Sequence, residues 1–136
     1  IVYTREDFVA RVRELTDGAG VPVVYDSVGR ATLAGSIECL SRRGLLVGFG
    51  NASGAPEPFD PMILARKGSL YLTRPVLFDY TATRAELLAS AGAVFAALRR
   101  GAITAVVRQT WPLDQAARAH RALEARETVG TSLLVP

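Results

Sequence analysis

Residues 21–50, VPVVYDSVGRATLAGSIECLSRRGLLVGFG, decide the fold. The β-branched and aromatic run Val23-Val24-Tyr25 is typical of a parallel strand covered on both faces. A helical segment is predicted at about 31–41, and GLLVGFG at 44–50 predicts a second buried strand that ends in glycines. The order strand, helix, strand predicts a βαβ unit with a right-handed, parallel crossover.

The same alternation continues on both sides of this unit. Phe8, Val9, Val12 and Leu15 predict an amphipathic helix over 5–16, with Thr4 as its N-cap, and Ile1-Val2-Tyr3 resembles a strand. Thr83 and Glu86 form a capping-box pair before the longest helical stretch. The remaining predicted elements are a loop at 51–61, a short helix at 61–66, a strand at 69–74, a helix at 83–100, a strand at 103–111, a helix at 114–126 and a strand at 132–135. The predicted class is α/β.

Composition excludes several classes of protein. The 136 residues are 49% hydrophobic and 21% charged with a net charge of +3, which indicates one globular domain rather than a disordered chain. Fifteen of the sixteen basic residues are arginines scattered among acids, so we expect no nucleic-acid partner. No apolar run approaches the roughly 20 residues of a membrane helix. Because Arg5, Glu6 and Asp7 interrupt any apolar run at the start, we expect these residues not to be a signal peptide.

The sequence offers few groups for covalent or metal chemistry. A single cysteine, Cys39, excludes an internal disulfide, predicts a buried apolar packing role and favours a reducing, cytoplasmic setting. His120, the one histidine, lies on a predicted helix away from any Ser-His-Asp arrangement. We therefore predict no catalytic residue and no metal ligand in this chain.

Gly48-x-Gly50 follows a predicted strand but is not a pyrophosphate-binding turn. Ser53 occupies the third position, and Pro56 and Pro58 prevent a long helix from starting there. The glycines instead predict a turn that lets another group approach the backbone.

Two further residues leave alternatives open. Arg126 ends a predicted helix, where it either complements the negative end of the helix dipole or reaches a ligand phosphate. Tyr3 is either a half-buried aromatic of a strand or a platform for adenine.

Five motifs taken together resemble a known family. They are VVYDSVG, GLLVGFGNASG, KGSLYLTRP, YTATRAELL and AHRALEAR…VGTSLLVP, in this order from residue 23 to residue 136. The chain resembles the C-terminal part of zinc-independent quinone oxidoreductases, a group of the medium-chain dehydrogenase/reductase superfamily that includes the ζ-crystallins. The resemblance implies the second half of a Rossmann-type, doubly wound parallel sheet.

The resemblance also implies a domain organisation. Residues 1–102 would be a partial NAD(P)-binding Rossmann domain that lacks the Gly-rich first half. Residues 103–136 would be a helix–strand tail that in the parent enzyme packs on a GroES-like substrate domain. The chain opens without Met on an apolar segment, so we expect further sequence upstream.

The cofactor implied by the resemblance is NADPH. Tyr3 matches a tyrosine by the adenosine 2′-phosphate, Ser27 and Val28 match the adenine ribose region, and Arg74–Leu77 matches a stretch near the nicotinamide ring. The loop that approaches the nicotinamide half of the cofactor matches Phe49, Gly50, Asn51 and Ser53. A tail arginine that contacts the cofactor matches Arg126. Position 52 is Ala where some relatives carry Ser, which removes one hydroxyl contact.

The reaction implied is electron transfer from NADPH to a quinone without a metal. The resemblance further implies a homodimer formed through the sheet-edge strand 69–75. Two alternatives remain: an alkenone or enoyl reductase on the same scaffold, since fold does not fix substrate, and a non-catalytic fragment that keeps only the dimerisation surface.

Overall fold

A three-stranded parallel sheet organises the first part of the chain. The computed structural model describes residues 1–136, which form two compact units, Ile1–Tyr80 and Thr81–Pro136. The elements of the first unit are α1 (Phe8–Leu15), β1 (Val21–Asp26), α2 (Leu33–Glu38), β2 (Leu40–Gly48), α3 (Met62–Arg66), β3 (Tyr71–Thr73) and α4 (Leu77–Tyr80).

The predicted βαβ unit is confirmed. Strand β1 pairs in parallel with β2 and places Asp26 beside Gly48, and the register is irregular between Val21 and Val23. Helix α2 ends at Glu38 and β2 begins at Leu40, so the predicted helix end at residue 41 is wrong. Leu40 belongs to the strand because it pairs with Val21, and its side chain is buried in the core.

The core lies between α2 and the sheet. Its buried side chains and the partly buried ones packed on them are Ile37, Leu40, Leu46, Leu70, Val24, Leu33, Ile63 and Leu64. Burial of these apolar side chains is the main stabilising term for the unit. It holds the carboxyl ends of β1 and β2 next to each other.

Two predictions for the first residues are wrong. Residues 1–3 form no strand; the Val2 carbonyl accepts hydrogen bonds from the Arg5 and Glu6 amides, which makes a turn. The N-cap of α1 is Asp7 rather than Thr4, because its carboxylate accepts from the amides of Val9 and Ala10. The helix therefore starts three residues later than predicted.

Strand β3 forms one edge of the sheet and β1 the other. All three residues of β3 are exposed. The short helix α4 follows Pro75 and was not predicted. Cys39, as predicted, is a buried free thiol, and burial raises its pKa above the ordinary value.

The second unit contains a long helix and a two-stranded parallel sheet. Its elements are α5 (Arg84–Arg99), β4 (Val107–Pro112), a 3₁₀ turn (Leu113–Gln115), α6 (Ala116–Glu124) and β5 (Thr131–Val135). Thr83 and Glu86 form the predicted capping box of α5. The units divide after Tyr80, whereas the domain boundary predicted at residue 102 concerns a longer protein and stays a prediction.

Candidate functional site

Two turns follow neighbouring strands at one edge of the first unit's sheet. The β1 turn, residues 27–29, leaves β1 after Asp26, and the β2 loop, residues 49–54, leaves β2 after Gly48. Asp26 and Gly48 are register partners, so both segments start side by side. The carboxyl ends of parallel strands are where doubly wound sheets bind ligands.

Hydrogen bonds join the β1 turn to the β2 loop. The Ser27 carbonyl accepts from the Ala52 amide at 3.2 Å, and the Val28 carbonyl accepts from the Ser53 amide at 2.8 Å. The Ser53 hydroxyl also donates to the Val28 carbonyl at 2.7 Å and accepts from the Ala31 amide at 2.9 Å. Six of the predicted cofactor residues therefore belong to one connected surface: Ser27, Val28, Phe49, Gly50, Asn51 and Ser53.

Two glycines make this close approach possible. A Cβ on Gly50 would overlap the carbonyl oxygen of Ser27 and lie 2.8 Å from its Cα. Gly29 has a φ of +86°, and a Cβ there would lie 2.7 Å from the Gly54 carbonyl oxygen. After Gly50 the next helix starts only at Met62, so Gly48-x-Gly50 does not open a phosphate-binding helix, as predicted.

Asp26 lies beneath the β1 turn and is 5% exposed. Burial alone would raise the pKa of its carboxyl, but hydrogen bonds from the Gly29 amide, the Ser36 and Thr32 hydroxyls and the Val28 amide outweigh it. They hold the pKa below its ordinary value, so the group is a carboxylate at neutral pH. Sequence reasoning missed this role; the signal was an Asp at the end of a buried strand with hydroxyl residues six and ten positions on.

A cleft of about 290 Å³ opens beside the β1 turn. Tyr3, Tyr25, Ser27 and Val28 contribute to its lining, which is mainly apolar. Tyr3 lies in a turn rather than in a strand, so the alternative of a strand aromatic is wrong. A mainly apolar cleft lined by two tyrosines and the Ser27 side chain suits a flat, uncharged ring system such as adenine with its ribose.

Arg74, at the start of the predicted nicotinamide stretch, fixes the β2 loop. Its Nη1 donates to the carbonyl oxygens of Gly48 at 2.9 Å and Gly50 at 3.1 Å. Together with Asn51 it also lines a second cleft of about 360 Å³. Leu77, at the end of the same stretch, begins α4.

Arg126 belongs to the second unit. It follows α6 with a left-handed φ of 59°, and its amide donates to the Leu123 carbonyl. Its predicted contact with the cofactor stays a prediction, as do the contacts of the other seven site residues.

The chain brings no metal-ligand set together. Across all 136 residues, no three His, Cys, Asp or Glu side chains form a group that could hold a metal ion. Cys39 is buried in the first unit, and His120 is exposed on α6. No helix is both long and apolar enough to cross a membrane.

The parallel α/β fold and the paired strand-end turns define part of a Rossmann-type sheet. The family model described as "Zinc-binding dehydrogenase" matches residues 1–134, and the chain belongs to this family. The residues present do not fit the zinc that the family's description names.

The individual relatives include quinone oxidoreductases and a 2-haloacrylate reductase. Quinone oxidoreductase 1 of Escherichia coli is 50% identical over 100% of this chain and 42% of its own length. The structure of the E. coli quinone oxidoreductase complexed with NADPH superposes with a TM-score of 0.93, again over 100% of this chain and 42% of the other. The 2-haloacrylate reductase of a Burkholderia species is 41% identical over 100% of this chain and 41% of its own length.

These relatives confirm the predicted resemblance to quinone oxidoreductases and the Rossmann-type fold. The chain spans about 42% of the length of the curated relatives it matches, in their C-terminal part.

Proposed function

We propose that this chain is the cofactor-binding portion of an NADPH-dependent quinone reductase. The observation that carries the proposal is the connected surface of the β1 turn and the β2 loop, which gathers six predicted cofactor residues at one sheet edge. The identity to quinone oxidoreductases, one of which has a crystal structure in complex with NADPH, supports the choice of cofactor and substrate.

Each part of the surface suits one part of the cofactor. Tyr3, Ser27 and Val28 line the same cleft. Tyr3 would stack there on the adenine, and Ser27 and Val28 would contact the ribose attached to it. Phe49, Gly50 and Asn51 would hold the nicotinamide half. Arg126 would contact the 2′-phosphate, since a guanidinium binds phosphate with paired hydrogen bonds.

Ser53 has the weakest claim to a cofactor contact. Its hydroxyl proton is bonded to the Val28 carbonyl, and the Ala31 amide uses one of its lone pairs. Its main contribution would be to hold the β1 turn against the β2 loop.

When bound, NADPH supplies the electron pair that reduces the quinone. The chain's own residues bind and orient the cofactor, and none of them is assigned a proton or a bond to the substrate. We further propose a cytoplasmic setting, in which Cys39 stays reduced.

Substitution of Gly50 tests the proposal. Gly50→Ala places a methyl group against the Ser27 backbone and should raise the dissociation constant for NADPH at least about tenfold, measured by cofactor fluorescence on the full-length gene product. Gly92→Ala is the matched control, because a Cβ on Gly92 meets nothing within 4 Å. Absence of NADPH binding by the unsubstituted protein, or equal binding by both variants, would contradict the proposal.

One alternative to a quinone substrate is supported by a specific observation. Identity to a 2-haloacrylate reductase favours an activated alkene as the second candidate, in line with the alkenone or enoyl reductase alternative. Steady-state NADPH oxidation with a benzoquinone and with 2-chloroacrylate distinguishes the two. We expect the quinone to give the larger kcat/KM; a larger value for the alkene would assign the second function.

We also propose a homodimer through strand 69–75. Tyr71 is 62% exposed on β3, and the outer edge of this strand has no partner strand. Unpaired sheet edges favour association with another strand. In light scattering we expect a dimer that Tyr71→Lys dissociates, whereas Tyr80→Lys, at an equally exposed position in α4, leaves it intact. A dimer unaffected by Tyr71→Lys would place the interface elsewhere.

A further inference from the structure

The buried carboxylate of Asp26 connects two elements by separate oxygens. Its Oδ1 accepts from the amides of Val28 at 2.8 Å and Gly29 at 3.0 Å. Its Oδ2 accepts from the Ser36 hydroxyl of α2 at 2.8 Å. The Thr32 hydroxyl lies within bonding distance of both oxygens, at 2.9 and 2.8 Å.

These bonds are charge-assisted, since the acceptor is ionised, and such bonds are stronger than neutral ones. No ion pair of the structure involves Asp26. The negative charge is therefore stabilised by the β1 turn and the adjacent hydroxyls rather than by a cation. Losing the carboxylate would leave the two turn amides without their acceptor.

The carboxylate also determines which groups of the β1 turn are free to contact a ligand. The amides of Val28 and Gly29 are already bonded to Oδ1, and the carbonyls of Ser27 and Val28 are bonded to the β2 loop. The side chains of Ser27 and Val28 remain for outside contacts. A negative charge beneath a turn whose amides are occupied disfavours a phosphate there and favours an uncharged group.

We propose that Asp26 is a positioning residue for the cofactor, which holds Ser27 and Val28 toward its uncharged adenosine portion. This inference rests on the proposed function. The adenosine portion is common to NADPH and NADH, whereas the 2′-phosphate is not. Asp26 should therefore act equally on both cofactors, in contrast to Arg126.

The experiment uses five variants of the full-length gene product, of which Arg126→Ala serves as the comparison for the 2′-phosphate. Asp26→Ala removes both acceptors, and Asp26→Asn keeps one oxygen for the two amides while its amide group faces the hydroxyls of Thr32 and Ser36. Ser36→Ala is the matched control, because it removes a bond to Oδ2 and leaves the bonds of Oδ1 to the turn. Where Asp26→Ala does not fold, Asp26→Glu, which displaces the carboxylate by one methylene, replaces it.

The readouts are the dissociation constants and KM values for NADPH and NADH at a temperature where every variant is folded. We expect Asp26→Ala, or Asp26→Glu in its place, to raise the values for both cofactors by the same factor, about tenfold or more, with kcat changed less than KM. Asp26→Asn should restore most of the affinity, and Ser36→Ala should lower the unfolding midpoint while changing affinity less than about twofold. Arg126→Ala should raise the KM for NADPH more than that for NADH.

The outcomes separate this inference from the proposed function. If the unsubstituted protein binds neither cofactor, the proposed function fails and the inference fails with it. If it binds both, and Asp26→Ala binds them as tightly while only its stability falls, the inference alone is overturned. A change in affinity confined to NADPH would also overturn the inference, because the β1 turn would then act on the 2′-phosphate.

Discussion

Helix α5 of the second unit and helix α2 of the first differ in how they are stabilised. Helix α5 in the second unit has 16 residues and a complete capping box, yet none of its residues is buried. Helix α2 in the first unit has six residues and no side-chain cap, yet Ser36 and Ile37 are buried. Residues close in sequence thus determine where a helix begins, whereas its burial depends on a partner surface formed by residues elsewhere in the chain.

Burial in the core should give the largest difference between the units. Leu46 is fully buried, so Leu46→Ala should lower the free energy of unfolding by about 2–5 kcal/mol through lost burial and a cavity. Leu88 is 57% exposed on α5, and Leu88→Ala should change stability within about 0.5 kcal/mol. Urea denaturation measures both. Similar losses at the two positions would mean that Leu88 is covered in solution.

The buried carboxylate of the first unit should make stability depend on acid. The folded pKa of Asp26 is below its ordinary value of 3.8, so its contribution is complete above that pH and is lost as pH falls through the folded pKa. Asp26→Asn should lower stability at pH 7 and reduce the acid dependence of the unfolding free energy. Denaturant titrations between pH 7 and pH 2 measure this. If the unfolding free energy of Asp26→Asn falls with acid as steeply as that of the unsubstituted chain, Asp26 is not a source of the dependence.

The capping box should give the smallest effect, confined to the second unit. The Glu86 amide donates to the Thr83 hydroxyl oxygen, and the Glu86 carboxylate accepts from the Thr83 amide. Thr83→Ala should cost about 1 kcal/mol and reduce the helical circular dichroism signal. Thr83→Ser, which keeps the acceptor, should retain most of it. An unchanged signal in Thr83→Ala would show that α5 depends on packing rather than on its cap.

Sequence patterns predicted the elements whose signals are local. The strand–helix–strand order, the capping box of α5 and the absence of a helix directly after Gly50 follow from periodicity, end residues and prolines close in sequence. The predicted cap at Thr4 was wrong because both Thr4 and Asp7 are suitable residues, and only the turn at Val2 selects between them.

Contacts between residues far apart in sequence could not be predicted from such local patterns. The Ser53 hydroxyl bonds to Val28 and Ala31, which lie more than twenty positions earlier, and Arg74 reaches Gly48 and Gly50. Family resemblance selected these positions without indicating whether they face a ligand or hold the backbone. The hydrogen bonds assign Ser53 and Arg74 at least a structural role.

The central claim is that the β1 turn and the β2 loop together receive NADPH. Its most direct test is a titration of the ¹⁵N-labelled chain with NADPH, followed by amide chemical shifts, since shifts report weak as well as tight binding. We expect the amides of residues 27–29 and 49–53 to shift together, with one apparent dissociation constant. Saturating NADPH that leaves both segments unshifted, or shifts only other residues, would contradict the account.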